Sequence, residues 1–101
     1  MNISVSGLNF TISPAIHELI QEKFVDKLDQ LLSRVNNDLK IGILTLEKDK
    51  KHKVYLAKFD MTLPGQKNSF FAQHCHSDIT ATITGLREAI EKQIKKYKHS
   101  D

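Results

Sequence analysis

The residues of this chain that can do chemistry fall into two sets. The first is His74-Cys75-His76. In a strand, alternate side chains point to opposite faces, so the two imidazoles share one face and the thiol takes the other. Two imidazoles begin a metal site, but such a site takes three or four ligands, and the further candidate is His52, in reach if a hairpin brings it close. A nucleophilic Cys75 needs a base on its own side, and its neighbouring histidines face away. Strand histidines with packing or surface roles are the simpler reading. Gly7, Gly42, Gly65 and Gly85 are scattered rather than gathered into a phosphate-binding loop. No pair of carboxylates stands out as an acid/base couple. No catalytic residue, metal ligand or cofactor is therefore assigned.

The second set is lysine. Residues 1–38 carry three bases (Lys23, Lys27, Arg34) against five acids, and the remainder carries twelve bases against seven acids. The formal net charge of +3 thus divides into −2 and +5. The surplus gathers in Lys48-Asp49-Lys50-Lys51-His52-Lys53 and in Lys92, Lys95, Lys96 and Lys98. Clusters of this kind attract polyanions by counterion release when the fold brings them to one surface. The plain alternative is a solvated loop and a solvated helix end, where lysines also complement the helix dipole. At helical spacing Lys92, Lys95 and Lys96 spread over roughly 100° of surface away from the apolar stripe. Lys23 and Lys27 stand at i and i+4 and form a small basic edge. Two helices lying side by side would put these lysines along one ridge or groove that binds phosphates by charge and shape. Aromatic residues are few and fall mostly at core positions, so no stacking platform for single strands is evident.

The elements that must position these residues follow from periodicity. Asn2 to Gly7 alternates as a half-buried strand with Ile3 and Val5 on one face. Ser13-Pro14 starts a helix, with Ser as cap and Pro at the first position. Ile16, Leu19, Ile20, Phe24, Leu28, Leu31, Leu32 and Val35 give that helix one apolar face from about Pro14 to Arg34. Leu39 to Leu46 reads as a strand, followed by the lysine-rich hairpin. Tyr55, Ala57, Phe59, Met61 and Leu63 then share the inner face of a long strand, Pro64-Gly65 marks a turn, and Asn68 to His76 returns with Phe70, Ala72 and His74 inward. The last segment admits a strand at Asp78–Thr84, but Ile79, Ile83, Leu86, Ile90, Ile94 and Tyr97 fit one helical stripe over a longer window. Gly85 inside this helix costs ~1 kcal/mol relative to Ala, and close approach of a neighbouring helix would account for it. Helices on one face of a four-stranded sheet give a two-layer α+β domain, β-α-β-β-β-α, with the first strand, helix and second strand able to form a crossover.

One hundred and one residues allow a single domain, 1–101, with a modest core. No apolar run approaches the ~20 residues of a membrane span. The first ten residues lack the pattern of a secretory signal, and a lone Cys75 fits a reducing compartment, so a cytoplasmic protein is expected.

In order, spacing and length the chain resembles the short ribosome hibernation-promoting factors, also called ribosome-associated translation inhibitors or sigma-54 modulation proteins. The resemblance runs through Met-Asn-Ile-Ser-Val-Ser-Gly at the start and Ile12-Ser-Pro-Ala-Ile16 entering the helix. It continues through Glu22-Lys23-Phe24 and Lys27-Leu28-Asp29, then Asp78 through Gly85-Leu86, and Lys92-Gln93-Ile94 to Lys96-Tyr97-Lys98. It implies a fold similar to double-stranded RNA-binding domains and a non-enzymatic role. The protein would bind the small ribosomal subunit and its rRNA where mRNA and the A- and P-site tRNAs lie, and inhibit translation in stationary phase or stress. Carried over by position, the rRNA-binding residues are Lys23, Lys27, Lys92, Lys96 and Lys98. Lys95 joins them on the helical geometry alone. The chain departs from the family pattern in Thr80, where an aromatic is usual, in Ala89, where a base is common, and in one extra residue after Phe24. Ending at Asp101, it would lack the domain with which long members pair ribosomes. It would be a monomer off the ribosome and depend on a separate dimerising factor for any pairing. The alternatives are a general RNA-binding or assembly module and a small metal or thiol enzyme using His74, Cys75 and His76.

Overall fold

The computed structural model describes residues 1–63 and 69–99, apart from the side chains of Asn37, Lys98 and His99. The Pro64-Gly65 turn and the start of the fourth strand at Asn68 lie outside the described residues. The order of elements is β1 (Asn2–Leu8), α1 (Pro14–Ile20), a π-helical turn (Gln21–Val25), α2 (Asp26–Leu31), a 3₁₀ turn (Asn37–Leu39), β2 (Ile41–Asp49), β3 (Val54–Thr62), β4 (Phe70–His76) and α3 (Ile79–His99). The strands lie in chain order in one sheet; β1 is parallel to β2, and the other pairings are antiparallel. The expected α+β architecture is therefore present, with α1, α2 and α3 packed on one sheet face.

Alternation explains which face is covered. The registers Leu44–Phe59–Ala72 and Gly42–Met61–Phe70 turn buried side chains toward the helices. The intervening rungs, such as Ser4–Ile43–Asp60–Phe71, face away and are exposed. Phe24 meets Phe59 edge-on at 4.8 Å, and Ile83, Leu86, Ile90 and Ile94 complete the core from α3. Burial of such side chains contributes about 1.5–3 kcal/mol each and is the main force holding the layers together.

Two boundaries differ from the sequence expectation. The first helix ends at Leu31 rather than Arg34, and a π turn interrupts it. The reason lies in the spacing of Ile16, Ile20, Phe24, Leu28 and Leu32. A strict four-residue repeat drifts about 40° per step on a 3.6-residue helix, and a wider turn takes that drift back. Val25 is buried beside Phe24 as a result. The second strand starts at Ile41, because Asn36 Oδ1 accepts the Asp38 N–H and draws the residues before it into a 3₁₀ turn. The final segment, which the longer stripe reads as a helix, is helix throughout. Asp78 Oδ2 caps it by accepting the Ala81 N–H, and the buried Thr82 hydroxyl donates to the carbonyls of Asp78 and His76.

Gly85 accommodates a strand side chain rather than a helix. The His74 ring lies against it, and a methyl group at Gly85 would overlap that ring. At the other edge Gly7 lets the chain turn back so that the Phe10 carbonyl passes close over it, with Asn9 at φ 65°.

Candidate nucleic-acid interface

α3 lies beside the first helical arm (α1, the π turn and α2), and two contacts fix their relative direction. Arg87 Nη1 donates to the Lys23 carbonyl at 2.9 Å, joining the middle of α3 to the π turn. Farther along, Tyr97 and residues Leu31–Val35 line one cavity of about 580 Å³. The two helical arms thus run the same way side by side. Arg87 is itself braced by Glu91 through a 2.6 Å contact from Nε. On the other flank of α3, Gln93 Nε2 donates to the Phe71 carbonyl and Oε1 accepts the Phe71 N–H. That side chain takes the place of a neighbouring strand and covers the edge of β4.

These contacts set the bearings of the lysines. Lys92, Lys95 and Lys96 are all exposed. At 100° per residue Lys95 stands about 80° from Arg87 and is nearest the first arm, whereas Lys96 stands about 60° from Gln93 and leans toward β4. Lys92 points outward between them. Lys23 and Lys27 are exposed too, but they do not form the simple i,i+4 edge of an α-helix, since Lys23 lies in the π turn and Lys27 in α2. A π turn holds one residue more than an α turn. The Lys98 side chain lies outside the described residues. The lysines accordingly lie on the outer surface of the helical layer, without carboxylate partners within ion-pair distance among the described residues. Arg87 and Gln93, which set the helical layer in place, carried no signal in the sequence beyond lying beside its apolar stripe.

The His74-Cys75-His76 segment does not assemble a catalytic set. His74 points into the helical layer against Gly85, Cys75 lies exposed on the opposite face, and His76 Nδ1 accepts the Asp78 N–H at 3.0 Å. His52 pairs instead with Asp49 at 2.8 Å. Among the described residues no group of three or more His, Cys, Asp or Glu side chains is placed to hold a metal ion.

Comparison with known proteins places this geometry. The family described as sigma 54 modulation protein / S30EA ribosomal protein matches residues 3–100. The chain belongs to this family. A ribosome hibernation promotion factor of Staphylococcus aureus (strain COL) is 28% identical over 98 residues, which cover 97% of this chain and 48% of that protein. The chain therefore spans about half the length of that relative. Among solved structures, the N-terminal domain of Thermus thermophilus Protein Y superposes with a TM-score of 0.77 at 24% identity, covering 96% of this chain and 99% of the other. A ribosomal subunit interface protein from Coxiella burnetii superposes with a TM-score of 0.73 at 25% identity, covering 98% of this chain and 99% of the other. The S30EA fold is thus matched across nearly the whole chain. No described helix is long and apolar enough to cross a membrane.

Proposed function

We propose that this S30EA-family chain is a cytoplasmic ribosome hibernation factor, acting by occupancy rather than catalysis. Residues 1–101 form one ribosome-binding domain that docks on the small subunit in the channel for mRNA and the A- and P-site tRNAs. Translation stops in stationary phase or stress because those ligands are excluded. The observation that carries this reading is the exposed lysine surface of two parallel helical arms, on the fold shared with a ribosomal subunit interface protein. Lys23, Lys27, Lys92, Lys95 and Lys96 contact rRNA phosphates, with Lys98 added by its position in the sequence. Lysine ammoniums are point charges suited to phosphate oxygens, and such contacts fix position without reading sequence.

Sedimentation with purified small subunits tests the proposal. The protein should comigrate with the subunit at low salt and be displaced by tRNA and mRNA together. Absence from the subunit fraction overturns it. Comigration that tRNA leaves undisturbed assigns the chain instead to general RNA binding or ribosome assembly.

A further inference from the structure

The lysine-rich hairpin between β2 and β3 is separate from the helical surface and is not absorbed by it. α3 begins only at Ile79, so the helical layer stops short of the end of the sheet. The rung Lys48–Tyr55–His76 continues the helix-facing side of the sheet beyond that start. There Lys48, Lys50, Lys53, Tyr55 and Ser77 line a cleft of about 440 Å³.

The hairpin that carries these lysines is an ordered turn. Asp49 Oδ1 accepts the N–H groups of Lys51 and His52 at 3.0 and 3.1 Å, and Oδ2 pairs with His52 Nδ1 at 2.8 Å. The Asp49 carboxylate is thereby engaged within its own turn. Lys53 reverses the chain at φ 56°. Tyr55 is held from two sides: Phe10 meets it edge-on at 5.9 Å, and the Lys48 ammonium lies 5.5 Å from its ring centroid. Lys48 is half-buried, while Lys50 and Lys53 are exposed.

We propose that this cleft is a second contact for the phosphate backbone of RNA, anchoring the end of the domain opposite the C-terminal lysines of α3. The inference rests on the ribosome-binding reading and deepens it. The lining offers ammonium and hydroxyl donors, a set that suits phosphate oxygens. Lys92 and Lys96 lie about 20–25 Å along the α3 axis from its first residue, at 1.5 Å per residue. A ligand that engages both sites must be an extended polyanion, which folded RNA is and a mononucleotide is not. The molecule is long in one direction, 44 × 23 × 18 Å, and two contacts toward opposite ends fix its orientation as one cluster cannot.

The test measures salt-dependent binding of the full chain to purified small subunits and, separately, to a non-ribosomal RNA duplex. The Lys50→Glu/Lys53→Glu double variant should weaken binding roughly tenfold or more, and each reversal should lower the slope of log K against log salt by about 1. Lys50→Arg/Lys53→Arg should bind as wild type. Lys58→Glu on the open sheet face is the control for overall charge and should cost less than either hairpin reversal alone. Unchanged slopes in the double variant, or an equal loss in Lys58→Glu, overturn the inference while leaving subunit binding by the helices in place. If wild type fails on subunits but binds the duplex through Lys50 and Lys53, the phosphate contact stands and the ribosomal reading falls. Binding to neither RNA overturns both. Unchanged thermal melting of each variant ensures that the loss is not unfolding.

Discussion

Gly85 and His74 show how a single position can mislead until its neighbour is known. Glycine is a poor helix residue, and within α3 its reason is the imidazole lying across it from β4. Gly85→Ala alone should be neutral to destabilising, because the ring must move. In a His74→Ala background the same change should stabilise by about 1 kcal/mol, the helix-propensity gain. A double-mutant cycle by chemical denaturation reads this coupling, and additive effects would refute the packing account. Asp49 provides a second test at this scale. Its carboxyl lies below the ordinary aspartate value, first because its side chain hydrogen-bonds to His52 and then because the His52 backbone N–H donates to it. A depressed folded-state pKa gives stabilisation that is present above the unfolded value of about 3.9 and lost as pH falls through the folded one. Amide exchange at Lys51 and His52 should therefore show a protected turn at pH 5–7 that opens at more acidic pH. Asp49→Ala should be open throughout.

The first helical arm carries a comparable lesson for elements. Its apolar stripe was legible, and so were its cap at Ser13, which accepts the Ile16 N–H, and the first-turn Pro14. The π turn was not read, although the strict four-residue spacing from Ile16 to Leu32 contained it. A π turn disturbs the α-helical backbone pairing, and Arg87 donates to the Lys23 carbonyl within it from 64 residues away. No local pattern could announce that partner. Arg87→Ala should destabilise the domain by about 1 kcal/mol, a charged hydrogen bond discounted for exposure. Amide exchange should rise first across residues 21–25. Equal protection of this segment in the variant would show that the turn needs no brace from α3. The strands were read correctly in number and chain order, and β3 and β4 in inner face as well, because alternation over seven or more residues leaves little choice of which side chains turn inward. Their ends were less legible: the 3₁₀ turn before β2 depends on one Asn36 side chain.

Over the whole molecule, length and net charge conveyed little, while the distribution of charge conveyed more. The −2 and +5 segments of the sequence became a helical surface with exposed lysines on both arms and a basic hairpin at the far end of the sheet. The histidine–cysteine segment, conspicuous as sequence, came apart across two faces of the sheet. Changing Lys92, Lys95 and Lys96 together to Glu should reduce small-subunit binding below detection with the thermal transition kept within a few degrees. Binding retained at wild-type strength would show that another surface docks. A density map of the domain bound to the small ribosomal subunit tests the proposed location without intermediaries. The domain should lie in the mRNA and tRNA channel with Lys23, Lys27, Lys92, Lys95 and Lys96 toward rRNA phosphates. Density elsewhere on the subunit, or the open sheet face turned to the rRNA with the helices in solvent, would contradict it.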